Sequence, residues 1–192
     1  MQNRILKTLS KSIPGGITLS REDFSSIENL FTYRTLNKNE VFFRPGHTTK
    51  EIALILSGVI RHYFIDGQGR EKTTDFCRAG EFSGSLDAIG EEGNIWLAAA
   101  CRTEIAVAPQ GDFMAVIYEH PELQKFFSNT LIHYLQLKTK RETELLGLLP
   151  DERYTAFIRN FPELTELVPQ YLIASYLGMT AETLSRVRNR RE

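Results

Sequence analysis

Between Tyr33 and Pro109 the chain breaks into short runs rich in apolar, aromatic and β-branched residues: EVFF, EIALILSG, VIRHYFI, KTTDFC and TEIAVA. The turn-formers RPGH, DGQGR, RAGE and EEGN separate them. Glycine recurs too often for a helix to run through this region. Many short strands with glycine turns at close intervals indicate an antiparallel barrel or jelly roll. In IDGQGR the pair Asp66-Gly67 predicts a hairpin, because it tolerates positive φ.

From His120 the texture changes. Pro121 suits a first helical turn, and neither proline nor glycine interrupts the sequence before Gly147. A helix from Pro121 to Thr143 would be roughly 35 Å long. Within it Phe127, Leu131, Tyr134, Lys138, Arg141, Leu145 and Leu148 alternate by four and three, a coiled-coil spacing with two charged interruptions. That stripe fits a helix packed on its own roll and equally fits a dimer seam centred on Phe127, Leu131 and Tyr134. GLLPDE marks a boundary, with Pro150 opening another helix that runs through Phe161. Before the strands, Ser20 can cap a short helix bearing Phe24, Ile27, Leu30 and Phe31.

The tail YLGMTAETLSRVRNRRE predicts two short helices around a turn at Gly178. Ile173, Ala174 and Leu177 share a face of the first, and Thr180 is a good N-cap for the second. Ala174, Gly178 and Leu184 have the relative offsets of a helix-turn-helix: a small residue at the crossing, glycine in the turn, an apolar plug. With Leu184 and Val187 inward, Glu182, Ser185, Arg186 and Asn189 form the opposite stripe. Arginine can pair with guanine, glutamate can accept from cytosine, and asparagine can read adenine. Arg188, Arg190 and Arg191 suit phosphates. The expected DNA surface is Thr180, Glu182, Thr183, Ser185, Arg186, Arg188, Asn189, Arg190 and Arg191.

A β-roll, a long helix and a C-terminal helix-turn-helix, in that order, resemble the Crp/Fnr family of bacterial transcription factors. LILSGVIRHYFIDGQGREKTTDFCRAGEFSG looks like the family's β-roll, and IASYLGMTAETLSRVRNR like its recognition motif, especially that of short-tailed Bacteroidetes-type members. The resemblance implies an α+β fold with a cyclic-nucleotide-binding-domain-like jelly roll over residues 1–119, a dimerisation helix over 120–148 and a DNA-binding domain over 149–192. It implies a cytoplasmic homodimer on pseudo-palindromic double-stranded DNA, with RNA polymerase as a partner if the protein activates. Residues matching Glu182 and Arg186 contact bases in the family, whereas Ala181 stands where the cyclic-AMP receptor has a third base-reading arginine.

The effector pocket implied by the resemblance involves Phe82, Gly84, Ser85, Leu86, Asn94 and Trp96. Cyclic-nucleotide-binding members carry a ribose-binding glutamate at the position of Ser85. Their phosphate-binding Arg-Ser pair falls at Gly93-Asn94. Both grips are missing here, and Arg102 would have to reach back from the following strand. Cyclic AMP is therefore not the expected effector, whose identity the sequence leaves unknown.

Other chemistry is thin. The net charge of −1 over 192 residues assigns any nucleic-acid affinity to a local patch. No apolar run reaches the length of a membrane span or a signal peptide. Cys77 and Cys101 have no C-x-x-C spacing and no neighbouring histidine, so they read as structural thiols, too few for an iron–sulfur cluster. His47, His62, His120 and His133 lack a supporting motif for haem. No catalytic residue, metal or cofactor is expected. Two other readings are a cupin-like metal enzyme, for which His47 and Glu51 cannot complete a three-ligand set, and an interaction module without DNA binding.

Overall fold

The computed structural model describes residues 4, 5, 7, 8, 21–46, 50–84 and 94–190. Ser20, His47, Ser85, Leu86, Gly93 and Arg191 lie outside the described residues. A short helix α1 (Arg21–Glu28) precedes eight strands: β1 (Thr32–Leu36), β2 (Val41–Phe43), β3 (Glu51–Ser57), β4 (Val59–Ile65), β5 (Glu71–Arg78), β6 (Phe82–Gly84), β7 (Trp96–Ala99) and β8 (Thr103–Pro109). They form two antiparallel four-stranded sheets, ordered β1-β8-β3-β6 and β2-β7-β4-β5. Alternating side chains from both sheets fill the interior of the roll: Leu36, Ile55, Ile60, Cys77, Leu97 and Ile105 are buried there.

The outer face of each sheet is also covered. Ile52, Leu54 and Ala106 of the first sheet pack against Ile27 and Phe31 and against Phe113 and Ile117 of α2 (Gln110–Glu119). Leu123 and Phe126, from the first turns of α3 (Pro121–Gly147), complete that cluster. The predicted long helix thus exists, spans 27 residues and is about 40 Å long. The second sheet presents Val59, Phe76 and Ala100 to the C-terminal helices α4 (Pro150–Asn160), α5 (Leu164–Leu167), α6 (Gln170–Tyr176) and α7 (Ala181–Asn189). Among the described residues, no helix is long and apolar enough to cross a membrane.

Two turns depend on glycine. In the β4–β5 hairpin the Asp66 carboxylate accepts from the backbone N–H groups of Gln68 at 2.9 Å and Arg70 at 3.0 Å. The left-handed residue is Gly69, with φ of 76°, rather than the predicted Gly67. The loop is longer than the two-residue Asp-Gly turn, and positive φ falls at its end. Between β3 and β4, Gly58 has φ of 83°, and a Cβ there would lie 2.6 Å from both the Arg102 carbonyl oxygen and Thr103 Oγ1. The buried Thr103 hydroxyl receives the Val59 N–H at 3.1 Å, tying that corner to β8.

Gly58→Ala combines positive-φ strain with a backbone collision. It should lower unfolding free energy by at least about 2 kcal/mol, read as a lower urea midpoint at unchanged slope.

Candidate nucleic-acid interface and effector cleft

The terminal helices assemble as their spacing dictates. Ile173, Ala174 and Leu177 are buried, as are Leu184 and Val187 on α7. Gly178 turns the chain with φ of 65°, a conformation that costs glycine little. Thr180 caps α7: its hydroxyl accepts the Thr183 N–H at 3.2 Å. Glu182, Ser185, Arg186 and Asn189 are all exposed. The structure therefore brings the predicted outward stripe together on one face.

Charges on that face are lightly held. Arg186 donates to Thr183 Oγ1 at 3.2 Å, and Arg190 meets Asp151 at 3.4 Å with both side chains largely in solvent. The Glu182 carboxyl is held below the usual carboxylate range by its own backbone N–H and the Thr180 hydroxyl. Exposed guanidiniums beside an ionised carboxylate suit contact with phosphates and base edges.

The helix pair is fastened to the roll at the edge strand β5. The Thr73 N–H donates to Ser175 Oγ at 2.9 Å. Arg141, from the long helix, donates to the carbonyls of Thr73 at 3.3 Å and Tyr176 at 2.9 Å. The Tyr176 ring lies 5.3 Å from that of Phe76 and beneath the Arg141 guanidinium. Burial, with the nearby Asp75 charge, pushes its phenol pKa well up.

The long helix carries two apolar tracks, and the predicted seam is the inner one. Phe127 packs on Phe113 with ring centroids 6.1 Å apart. Tyr134 lies under Lys138, whose ammonium is 2.9 Å from Asp75. Phe127 and Tyr134 thus make contacts within the chain on that face. Leu131, 43% exposed, lies at the border. The outward track runs one residue later, through Ile132 (54% exposed), Leu135 (63%) and Leu146 (83%), with Leu149 (68%) just beyond the helix end.

A cleft of about 1000 Å³ opens between the roll and the inner track. Phe82 and Gly84 line it as expected. A Cβ on Gly84 would lie 2.5 Å from the Glu51 carbonyl oxygen, so β6 needs glycine for its close approach to β3. Asn94 and Trp96 are not among its lining residues. Strand alternation sends Leu97 and Ala99 into the roll and turns Trp96 outward, where it stacks on Tyr63 at 6.0 Å.

Arg78 and the cleft's lysines are paired with carboxylates, whereas Arg141 is held by the backbone carbonyls of Thr73 and Tyr176. Arg78 pairs with Glu81 at 2.7 Å and Glu163 at 2.8 Å, Lys138 with Asp75, and Lys140 with Glu144 at 3.8 Å. Residues 85–93 add no lysine or arginine by sequence. Burial drives the Asp75 carboxyl up, but Lys138 and further partners more than reverse this and leave it below its ordinary value.

On the cleft wall, His62, Asp75 and Cys77 offer an imidazole nitrogen, a carboxylate oxygen and a sulfur within 4.8 Å of one another. Cys77 reads as isolated along the sequence, yet its sulfur is 3.3 Å from His62 Nε2. The hairpin register was the available signal: folding DGQGR places His62 opposite Asp75 and Ile60 opposite Cys77.

Comparison with known proteins follows this geometry. Residues 33–120 match the model of the cyclic nucleotide-binding domain. The fumarate and nitrate reduction regulatory protein of Escherichia coli is 27% identical over 190 residues, covering 90% of this chain and 74% of that protein. The structure of FixK2 from Bradyrhizobium japonicum superposes with a TM-score of 0.72 at 15% identity, covering 83% of each chain. A crp/fnr-family regulator of Eubacterium rectale superposes at 0.69 with 13% identity, covering 90% of this chain and 83% of the other. At these identities the structural likeness is one of fold.

Proposed function

We propose that the chain is a transcriptional regulator of the Crp/Fnr family, not an enzyme, and that it binds pseudo-palindromic DNA as a two-fold dimer through α7. Regulators of this family bind DNA and act as dimers. The observation that carries the specific reading is the exposed stripe Glu182, Ser185, Arg186 and Asn189 opposite the buried Leu184 and Val187. A capped helix with that division can enter a major groove while its apolar side stays on α4 and α6. The cupin reading has no support among these relatives.

In this reading α7 reads bases through Glu182, Arg186 and Asn189, with Ser185 beside them. Thr180, Thr183, Arg188, Arg190 and Arg191 serve the backbone. The roll is the sensor, and the outward track of α3 pairs the subunits. Ile132, Leu135, Leu146 and Leu149 expose large apolar side chains at seam spacing, whose burial against a two-fold copy would remove them from water. The setting is the cytoplasm, and RNA polymerase is a further partner where the protein activates.

Arg186→Ala should cost about 1–3 kcal/mol at the preferred site and relax base choice at one position per half-site. Arg190→Ala should weaken all sequences alike and flatten the salt dependence. Binding selections from random DNA, followed by titrations at several salt concentrations, separate the two. An Arg186→Ala protein with unchanged affinity and base preference would remove α7 from the groove.

Leu135→Glu places a charge in the middle of the outward track and should yield monomers at micromolar concentration in sedimentation. The same change at Leu131 should disturb association less, since that side chain borders the cleft. A dimer that survives Leu135→Glu would move the seam elsewhere.

Cyclic AMP should bind poorly. Its phosphate needs a cation; Arg78, Lys138 and Lys140 hold carboxylates of their own, and Arg141 is held by two backbone carbonyls. Charge-assisted bonds contribute about 1.5–3 kcal/mol each, so losing two weakens binding on the order of a thousandfold. Calorimetry with cyclic AMP and cyclic GMP should detect no micromolar binding; saturation in that range would show that a cation such as Arg102 has been recruited.

A further inference from the structure

We propose that His62, Asp75 and Cys77 form a binding site for a divalent transition-metal ion of borderline softness, of the Zn2+ or Fe2+ class, and that the ion competes with Lys138 for Asp75. The proposal rests on reading the roll as the sensor, and it names the effector class that the cleft would take.

The donors come from two adjacent strands. His62 on β4 faces Asp75 on β5 in register and lies diagonal to Cys77, with all three on one side of the sheet. His62 is 2% exposed and Cys77 4%. A tetrahedral ion with bonds of about 2.3 Å to sulfur and 2.0–2.1 Å to nitrogen places those two donors roughly 3.6 Å apart. His62 Nε2 and Cys77 Sγ are 3.3 Å apart, so a few tenths of an ångström of movement would seat the ion. Ser83 Oγ, on the opposite sheet, is 2.8 Å from the same nitrogen and would give up that hydrogen bond when Nε2 takes the ion. The cleft leaves a fourth position open to water or an exogenous ligand.

Nitrogen, sulfur and oxygen together disfavour magnesium and calcium, which take oxygen alone, and favour zinc or a late first-row ion. The ion would accept lone pairs from the His62 nitrogen, an Asp75 oxygen and the Cys77 sulfur, whose thiol proton leaves to solvent. Carboxylate and thiolate then balance its two positive charges. Asp75 no longer needs the Lys138 ammonium, now 2.9 Å away, and the long helix loses that tether. Metal occupancy is thereby linked to the element that also holds the DNA-reading head through Arg141.

The test uses the full chain, reduced and stripped with chelator, titrated with Co2+ under anaerobic conditions. One equivalent should bring in four-coordinate visible bands and a thiolate-to-metal charge-transfer band, both displaced by Zn2+. Cys77→Ser should abolish the charge-transfer band, and Asp75→Asn should weaken Co2+ binding. Cys101→Ser should leave spectrum and affinity unchanged. Lys138→Met removes the competing ammonium and should tighten Co2+ binding, which keeps the proposal testable even if Cys77→Ser fails to fold. A charge-transfer band that is absent, persists in Cys77→Ser or vanishes in Cys101→Ser overturns the site. Unchanged or weaker Co2+ affinity in Lys138→Met overturns the competition. These spectra do not depend on DNA: a chain that binds its operator without the band sinks only the metal, and one with the band but no operator sinks only the regulator.

Discussion

The open edge of β5 governs how the parts of this molecule meet. An edge strand presents N–H and C=O groups that must find partners or stay in water. Here Thr73 gives its N–H to Ser175 and its carbonyl to Arg141, so the edge is closed by the C-terminal domain and the long helix together. A neutral hydrogen bond contributes about 0.5–1.5 kcal/mol and one to a charged group about 1.5–3. The apolar contacts of Val59, Phe76 and Ala100 supply the rest of the adhesion. The C-terminal helices are seated on the roll by a directional polar clasp laid over a small apolar patch. Such a clasp fixes orientation more firmly than area alone would.

Much of the fold was readable because local and global signals agree. Glycine turns and strand alternation gave the roll, and an unbroken run gave the long helix. Leu184 and Val187, set three apart beyond a capping threonine, gave α7 its inner face and therefore its outer one. A pattern with two physical solutions is harder to read. Apolar residues three and four apart mark both a seam and a face packed on the chain's own roll, and Phe127 packs on Phe113 within the chain. The resemblance puts Trp96 in the pocket, yet the pleat turns it outward onto Tyr63. Cys77 looked isolated because its partner stands on a neighbouring strand, where only the hairpin register could have put it.

The cleft separates a shared fold from a shared ligand. Its wall carries Asp75, Glu81 and Glu163, each matched by a lysine or arginine of the same chain. A nucleotide phosphate arriving there would compete with those carboxylates for Arg78 and Lys138, and with two backbone carbonyls for Arg141. The geometry of the roll is thus compatible with a wide range of contents, while its charge pattern is selective about them.

The two tracks of the long helix also limit how it can move. Rolling it by one residue, about 100°, would bring the outward track onto the cleft. Phe127 would leave the cluster around Phe113 as Leu135 swung toward the cleft. Rotation about the axis is therefore a costly coordinate. Lys138 and Arg141 stand less than a turn apart on that track, so a displacement felt at one is carried to the other by stiff backbone. In mechanical terms the helix is a keyed shaft, barred from turning.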